Sequence, residues 1–159
     1  MRTALFIVLL AMLFAPAHAA TKLDDSASPR ARIDIKPRWQ YEEGEMAGKQ
    51  RLHAMLAEAK NVEIRLNTSA YVGKRGRIYL VIPEFISGLR SPDAMRVEWR
   101  GRGVFQSGTV LPGARALIYD GPISKPMTGD TLDFTIQFDS RYMAGGLRFD
   151  PIFEIDVLP

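Results

Sequence analysis

The chain has 159 residues, a formal net charge of +3 and no cysteine. The missing cysteine excludes a disulfide framework, a thiolate zinc site, a cysteine nucleophile and a lipidated N-terminal cysteine at once. With 47% hydrophobic residues and 25% charged ones, the composition fits an ordinary globular core rather than a disordered or fibrous chain.

Met1-Arg2-Thr3 is a short basic start, Ala4 to Phe14 is an uncharged run of eleven residues, and Ala17 and Ala19 place small side chains beside a cleavage point. Charged, apolar and cleavage regions in that order form a secretory signal over residues 1–19, cut between Ala19 and Ala20. The apolar run is shorter than the roughly 20 residues that cross a bilayer, and no second long one follows, so no membrane span is predicted. An exported domain without disulfides suits a bacterial periplasm better than a eukaryotic extracellular space. The sequence leaves passage to the cell exterior open. About 140 residues remain after the signal, enough for one core.

Residues 20–37 are polar, with Pro29 and Pro37, and read as a flexible lead. Ile33 and Ile35 alternate with charges there and suggest one short extended piece. Residues 38–60 form an extension with the single helical candidate, Tyr41 to Lys60. Leu52, Met55, Leu56 and Ala59 recur at three- and four-residue spacing, and Glu42, Glu43 and Glu45 lie where the helix dipole favours acids. Gly44 and Gly48 weaken the first turns, so the helix is expected from about Lys49. His53, the sole histidine after the signal, reads as an exposed residue on that helix.

From Asn61 the period is two. Val62, Ile64 and Leu66 alternate with Glu63, Arg65 and Asn67, and Arg77 to Pro83 is nearly continuous apolar sequence, as in a core strand. Met95 to Asp120 reads as a meander of three short strands. Val97 and Trp99 alternate with Arg96, Glu98 and Arg100, glycines and Pro112 make the corners, and Ala114 to Tyr119 leads out. Leu132, Phe134, Ile136 and Phe138 face one side of a further strand, and Phe153, Ile155 and Val157 mark the last. Seven or eight short strands separated by turn signals, with no strand–helix alternation, define an all-β antiparallel sandwich over residues 61–159. This pattern resembles an immunoglobulin-like domain; a small open β-barrel is the alternative.

Charge is uneven along the chain. Residues 60–102 hold nine Lys/Arg against four acids, and residues 103–159 hold four against seven. Such asymmetry invites an anionic partner or head-to-tail contact. Arg96 and Arg100 should project from one strand face opposite Trp99, with Arg102 in the following turn and Arg115 nearby. These four arginines, together with Ile123 on a proline-bounded loop, are the candidate partner-binding residues. Arginine suits that task because its planar fork pairs with carboxylate or phosphate through two parallel hydrogen bonds.

Catalytic and cofactor signals are weak. Gly73-Lys74-Arg75-Gly76 has the form of an RNA-clamping G-x-x-G loop, but a strand follows it where that module needs a helix. It reads as a basic hairpin turn, and no nucleic-acid partner is expected. With His53 alone on the expected helix, a Ser-His-Asp constellation is not expected, and a zinc site would need three or four carboxylates unaided. Asp120, Asp130, Asp133, Asp139 and Asp150 lie near strand ends, where a carboxylate pair could assemble but where turn-forming aspartates are also common. Trp39, Tyr71, Tyr79 and Tyr119 could offer carbohydrate platforms. The sequence therefore predicts a non-catalytic, cofactor-free binding or assembly accessory of the bacterial cell envelope. Its partner would be another envelope protein or an anionic envelope component, met through an edge strand or the arginine-bearing face. The alternatives are a subunit of a surface fibre or secretion apparatus, and a carboxylate-dependent enzyme acting on envelope polysaccharide.

Overall fold

A computed structural model describes residues 20–29, 33–34, 37–40 and 53–159. Among these described residues, eleven strands follow in order: β1 (Thr21–Lys22), β2 (Ile33–Asp34), β3 (Arg38–Trp39), β4 (Ala54–Asn67), β5 (Arg75–Val81), β6 (Met95–Gly101), β7 (Gly108–Val110), β8 (Arg115–Pro122), β9 (Met127–Asp139), β10 (Arg148–Phe149) and β11 (Ile152–Leu158). They form a four-stranded sheet in the order β1-β11-β5-β8 and a five-stranded sheet in the order β3-β4-β9-β6-β7, with β2 and β10 paired separately. Every pairing is antiparallel. The domain is a two-sheet sandwich, not a closed barrel.

Alternation of side chains builds the core. Leu132, Phe134, Ile136 and Phe138 of β9 face inward together with Met95, Val97 and Trp99 of β6 and Val62, Ile64 and Leu66 of β4. Ile78 and Leu80 of β5 meet them from the other sheet, with Ile118, Phe153 and Ile155. Neighbours β5/β8 in one sheet and β6/β9 in the other reproduce the B/E and C/F neighbours of an immunoglobulin sandwich. The flanking strands are distributed differently: β4 lies beside β9, and β11 lies beside β5.

Four local expectations change. The helix expected to reach Lys60 is replaced from Ala54 by strand β4, whereas residues 41–52 lie outside the described residues. Pairing with β9 overrides the helix-favouring Ala, Leu, Met and Glu of this stretch. Met55, Ala57 and Ala59 share the register positions of the inward Phe138, Ile136 and Phe134, and a bulge then sets Lys60 and Asn61 against Asp133 alone. The extra residue restores Val62 to the inner face, so the apolar spacing across the bulge is not purely two.

The lead is not free over its first part. Leu23 is buried, its N–H donates to the Phe153 carbonyl at 2.8 Å, and Asn67 N–H donates to the Asp24 carbonyl at 2.8 Å. Ser28 Oγ accepts from Arg65 N–H at 2.9 Å. Residues 21–28 thus form a strap from β11 of one sheet to β4 of the other. The meander also divides. β7 pairs with β6, but β8 pairs with β5 in the opposite sheet, because the Pro112-Gly113 corner carries the chain across. Likewise the loop with the G-x-x-G residues joins β4 to β5 across the two sheets and is not a hairpin.

Candidate functional site

Arg96, Glu98 and Arg100 alternate with the buried Met95, Val97 and Trp99, so strand geometry alone places them on the outer face of the five-stranded sheet. Arg100 stands in register with Asp133, but that carboxylate is already engaged. It accepts from Arg102 Nε and Nη2 at 2.7–3.1 Å and from the Asn61 N–H at 2.8 Å. The Asn61 amide, then Arg102, hold the Asp133 carboxyl below its ordinary pKa. The other cations of this face are tied down too. Arg38 pairs with Glu58 at 2.8 Å, and Arg65 Nε donates to Glu63 at 2.7 Å. Arg96 and Arg100 are exposed and form no ion pair among the described residues.

The candidate set does not converge on one surface. Arg115 lies on the opposite sheet, 4.2 Å above the Tyr79 ring and 3.3 Å from Asp156. It belongs to a laced outer face where Arg75 and Arg77 also share Asp120, at 3.2 and 2.9 Å. The hydrogen bond from Arg77 is the main cause that holds Asp120 below the usual carboxylate range. Ile123 is not offered to a partner, being only 1% exposed. Its N–H donates to the Lys74 carbonyl and its carbonyl accepts from Gly73 N–H, so the loop after β8 is stapled to the loop after β4 and the apolar side chain turns into the core.

Arg96 also lines an open groove of about 830 Å³ at one end of the five-stranded sheet. With it stand His53, Gln137, Asp139, Arg141 and Tyr142. The end of β9 positions this group. Asp139 caps the short turn Ser140–Tyr142 by accepting from Arg141 N–H at 3.0 Å, and the Arg141 guanidinium folds back onto the same carboxylate at 2.6–3.2 Å. That contact lowers the Asp139 pKa, with a smaller contribution from nearby His53, and raises that of Arg141. The His53 carbonyl accepts from Ser140 N–H at 2.8 Å and so brings the start of β4 to the groove. Arg141 is neutralised by Asp139, whereas Arg96 makes no ion pair with a described residue. A bound carboxylate or phosphate would find in Arg96 a fork able to donate two hydrogen bonds.

Asp130 acts as a turn fastener, accepting from the N–H groups of Gly103, Phe105 and Thr131 at 2.6–2.9 Å. Among the described residues, no group of three or more histidines and carboxylates is placed to hold a metal ion. Of the aromatic candidates, Tyr79 lies under Arg115, Tyr119 Oη donates to the Pro122 carbonyl at 2.8 Å, and Tyr71 packs on the core. Trp39 is 53% exposed on the edge strand β3. In the sequence, nothing ties His53 to a site or groups Gln137, Asp139, Arg141 and Tyr142 with Arg96. No spacing signal links them, because β-strand ends converge through register rather than through sequence proximity.

The fold defines the class, an all-β sandwich of two antiparallel sheets. Compared with protein-family models and with curated proteins, the chain matches none. No helix among the described residues is long and apolar enough to cross a membrane.

Proposed function

We propose that this chain is an exported, non-catalytic binding or assembly accessory of the bacterial cell envelope that contacts an anionic surface of a partner protein through Arg96 and Arg100. The observation that carries the reading is the contrast within one sheet face. Arg38, Arg65 and Arg102 are spent on internal carboxylates, whereas Arg96 and Arg100 form no ion pair among the described residues and Arg96 opens onto the groove. On the four-stranded sheet, strand addition is the less favoured mode of contact. The β8 edge is engaged where Gln106 N–H donates to the Ile118 carbonyl, and the β11 edge is partly occupied by β1.

The test is capture from envelope extract by residues 20–159, beside the double variant Arg96→Glu and Arg100→Glu. Both side chains are exposed, so the variant should melt close to wild type while retaining at least tenfold less partner. Equal capture by the two proteins would remove the arginine face from the contact. Arginine-dependent capture of an acidic glycan in place of a protein would overturn the choice of partner.

A further inference from the structure

Asp156 presents an unanswered acceptor. Its side chain is only 17% exposed, its Oδ2 lies 3.3 Å from Arg115, and its buried Oδ1 has no hydrogen-bond partner among the described residues. Such a buried, unpaired oxygen is costly unless a donor reaches it. The adjacent strand supplies the geometry. β1 pairs with β11 as Thr21↔Ile155 and Lys22↔Glu154, so continuing the register by one residue sets Ala20 opposite Asp156. Leu23 N–H donates to the Phe153 carbonyl at 2.8 Å, which makes 23/153 a hydrogen-bonded pair; two-residue alternation makes 20/156 a non-hydrogen-bonded one. In such pairs the Cα atoms approach to about 4.5 Å and the side chains share a face. Strand alternation puts Ala20 and Lys22 on the same outer face as Glu154 and Asp156.

We infer that the α-ammonium created at Ala20 by removal of the signal is the missing donor to Asp156, and that it locks the N-terminal strap onto β11 only after export. The inference rests on cleavage after Ala19, which is part of the reading above. Hydrolysis of the Ala19–Ala20 amide consumes one water, leaves a carboxylate on Ala19, and gives Ala20 an amine that is largely protonated at neutral pH. Before cleavage the same nitrogen is an uncharged amide with a single N–H. Afterwards it offers three donors and a positive charge. β1 has only two paired residues, and the strap it begins carries Leu23 into the core and closes the side between β11 and β4. The new charge therefore acts on a weakly held element whose docking completes the sandwich.

Other charges bear on the same spot. Arg115 contacts Asp156 directly and Glu154 at 3.9 Å, and Arg77 is the cross-strand partner of Asp156 on β5, although its guanidinium is committed to Asp120. Lys22 faces Glu154 in register. None of these groups reaches Oδ1.

The experiment uses the exported chain and begins with sequencing its N-terminus, which must read Ala20-Thr21-Lys22. Titration of the Ala20 amine by NMR should then give a pKa above the ordinary 7.7 to 8.0 of an α-amine. Asp156→Asn should return it to that range. Acetylating the Ala20 amine should lower the melting temperature of the wild type by about 2–4 °C and add nothing in the Asp156→Asn protein. An ordinary amine pKa in the wild type would overturn the lock, as would equal loss on acetylation in both proteins. Should Asp156→Asn fail to fold, the wild-type titration decides alone. A different N-terminal residue would remove the premise without touching the arginine-face reading, which the capture assay tests separately.

Discussion

Trp99 shows how much of the five-stranded sheet one side chain organises. Its indole is 4% exposed, its Nε1–H donates to the Gln106 carbonyl at 2.8 Å, and it lies against Gly108, its cross-strand neighbour on β7. A Cβ on Gly108 would come within 2.8 Å of the indole ring, so the absence of a side chain there is what admits the tryptophan. Removal of so large a buried ring leaves a cavity as well as lost burial. Trp99→Ala should cost about 3–5 kcal/mol in urea unfolding, and a loss under about 1 kcal/mol would show that the indole is no anchor. Gly101 serves a different need, since a Cβ at that position would collide with the Phe105 carbonyl. Asp130 then fixes the turn by gathering the Gly103 and Phe105 amides.

Strand β4 carries the clearest device among the elements. Its 14 residues run beside β9, and the bulge at Lys60 and Asn61 keeps the apolar side chains inward on both sides of the interruption. Asn61 adopts φ +57°, and its N–H is held by Asp133 Oδ1. That left-handed conformation suits Asn or Gly and strains a β-branched residue. Asn61→Val should therefore destabilise the fold by about 1–2 kcal/mol, whereas Asn61→Gly should be nearly neutral; denaturant midpoints for the pair read this directly. An Asn61→Val protein as stable as wild type would mean that the bulge relaxes to extended backbone. Asp133 thus links two features, since one carboxylate pins the bulge and neutralises Arg102, and Arg100 is left without it.

Across the whole molecule, charges on both outer faces are distributed as fixed pairs with a few exceptions. Asp120, Asp133 and Asp139 each have a pKa lowered by hydrogen bonds, chiefly from Arg77, the Asn61 amide and Arg141 respectively. A carboxyl with a lowered folded-state pKa adds stability above its unfolded value of about 3.9 and loses it as pH falls through the folded value. The melting temperature should accordingly hold level near neutrality and drop below about pH 4. Asp133→Asn, which cannot titrate, should flatten part of that drop. An acid profile identical to wild type would show that the Asp133 contacts contribute nothing to stability.

The sequence alone determined the sandwich class, because period-two burial is a local property: Leu132 to Phe138, Val62 to Leu66 and Met95 to Trp99 alternate as their faces require. It also determined that Arg96 and Arg100 share an outer face. Tertiary structure decided what depended on partners. It made residues 54–60 a strand, because β9 supplies a hydrogen-bonding edge that outweighs helix propensity. It buried Ile123, because that loop is bonded to the loop after β4. It sent Arg115 to the opposite sheet, and it brought His53, Asp139 and Arg141 beside Arg96. Alternation specifies which way a side chain points; only pairing specifies which strand lies beside it, and the neutralisation of Arg102 but not Arg100 depends on that pairing.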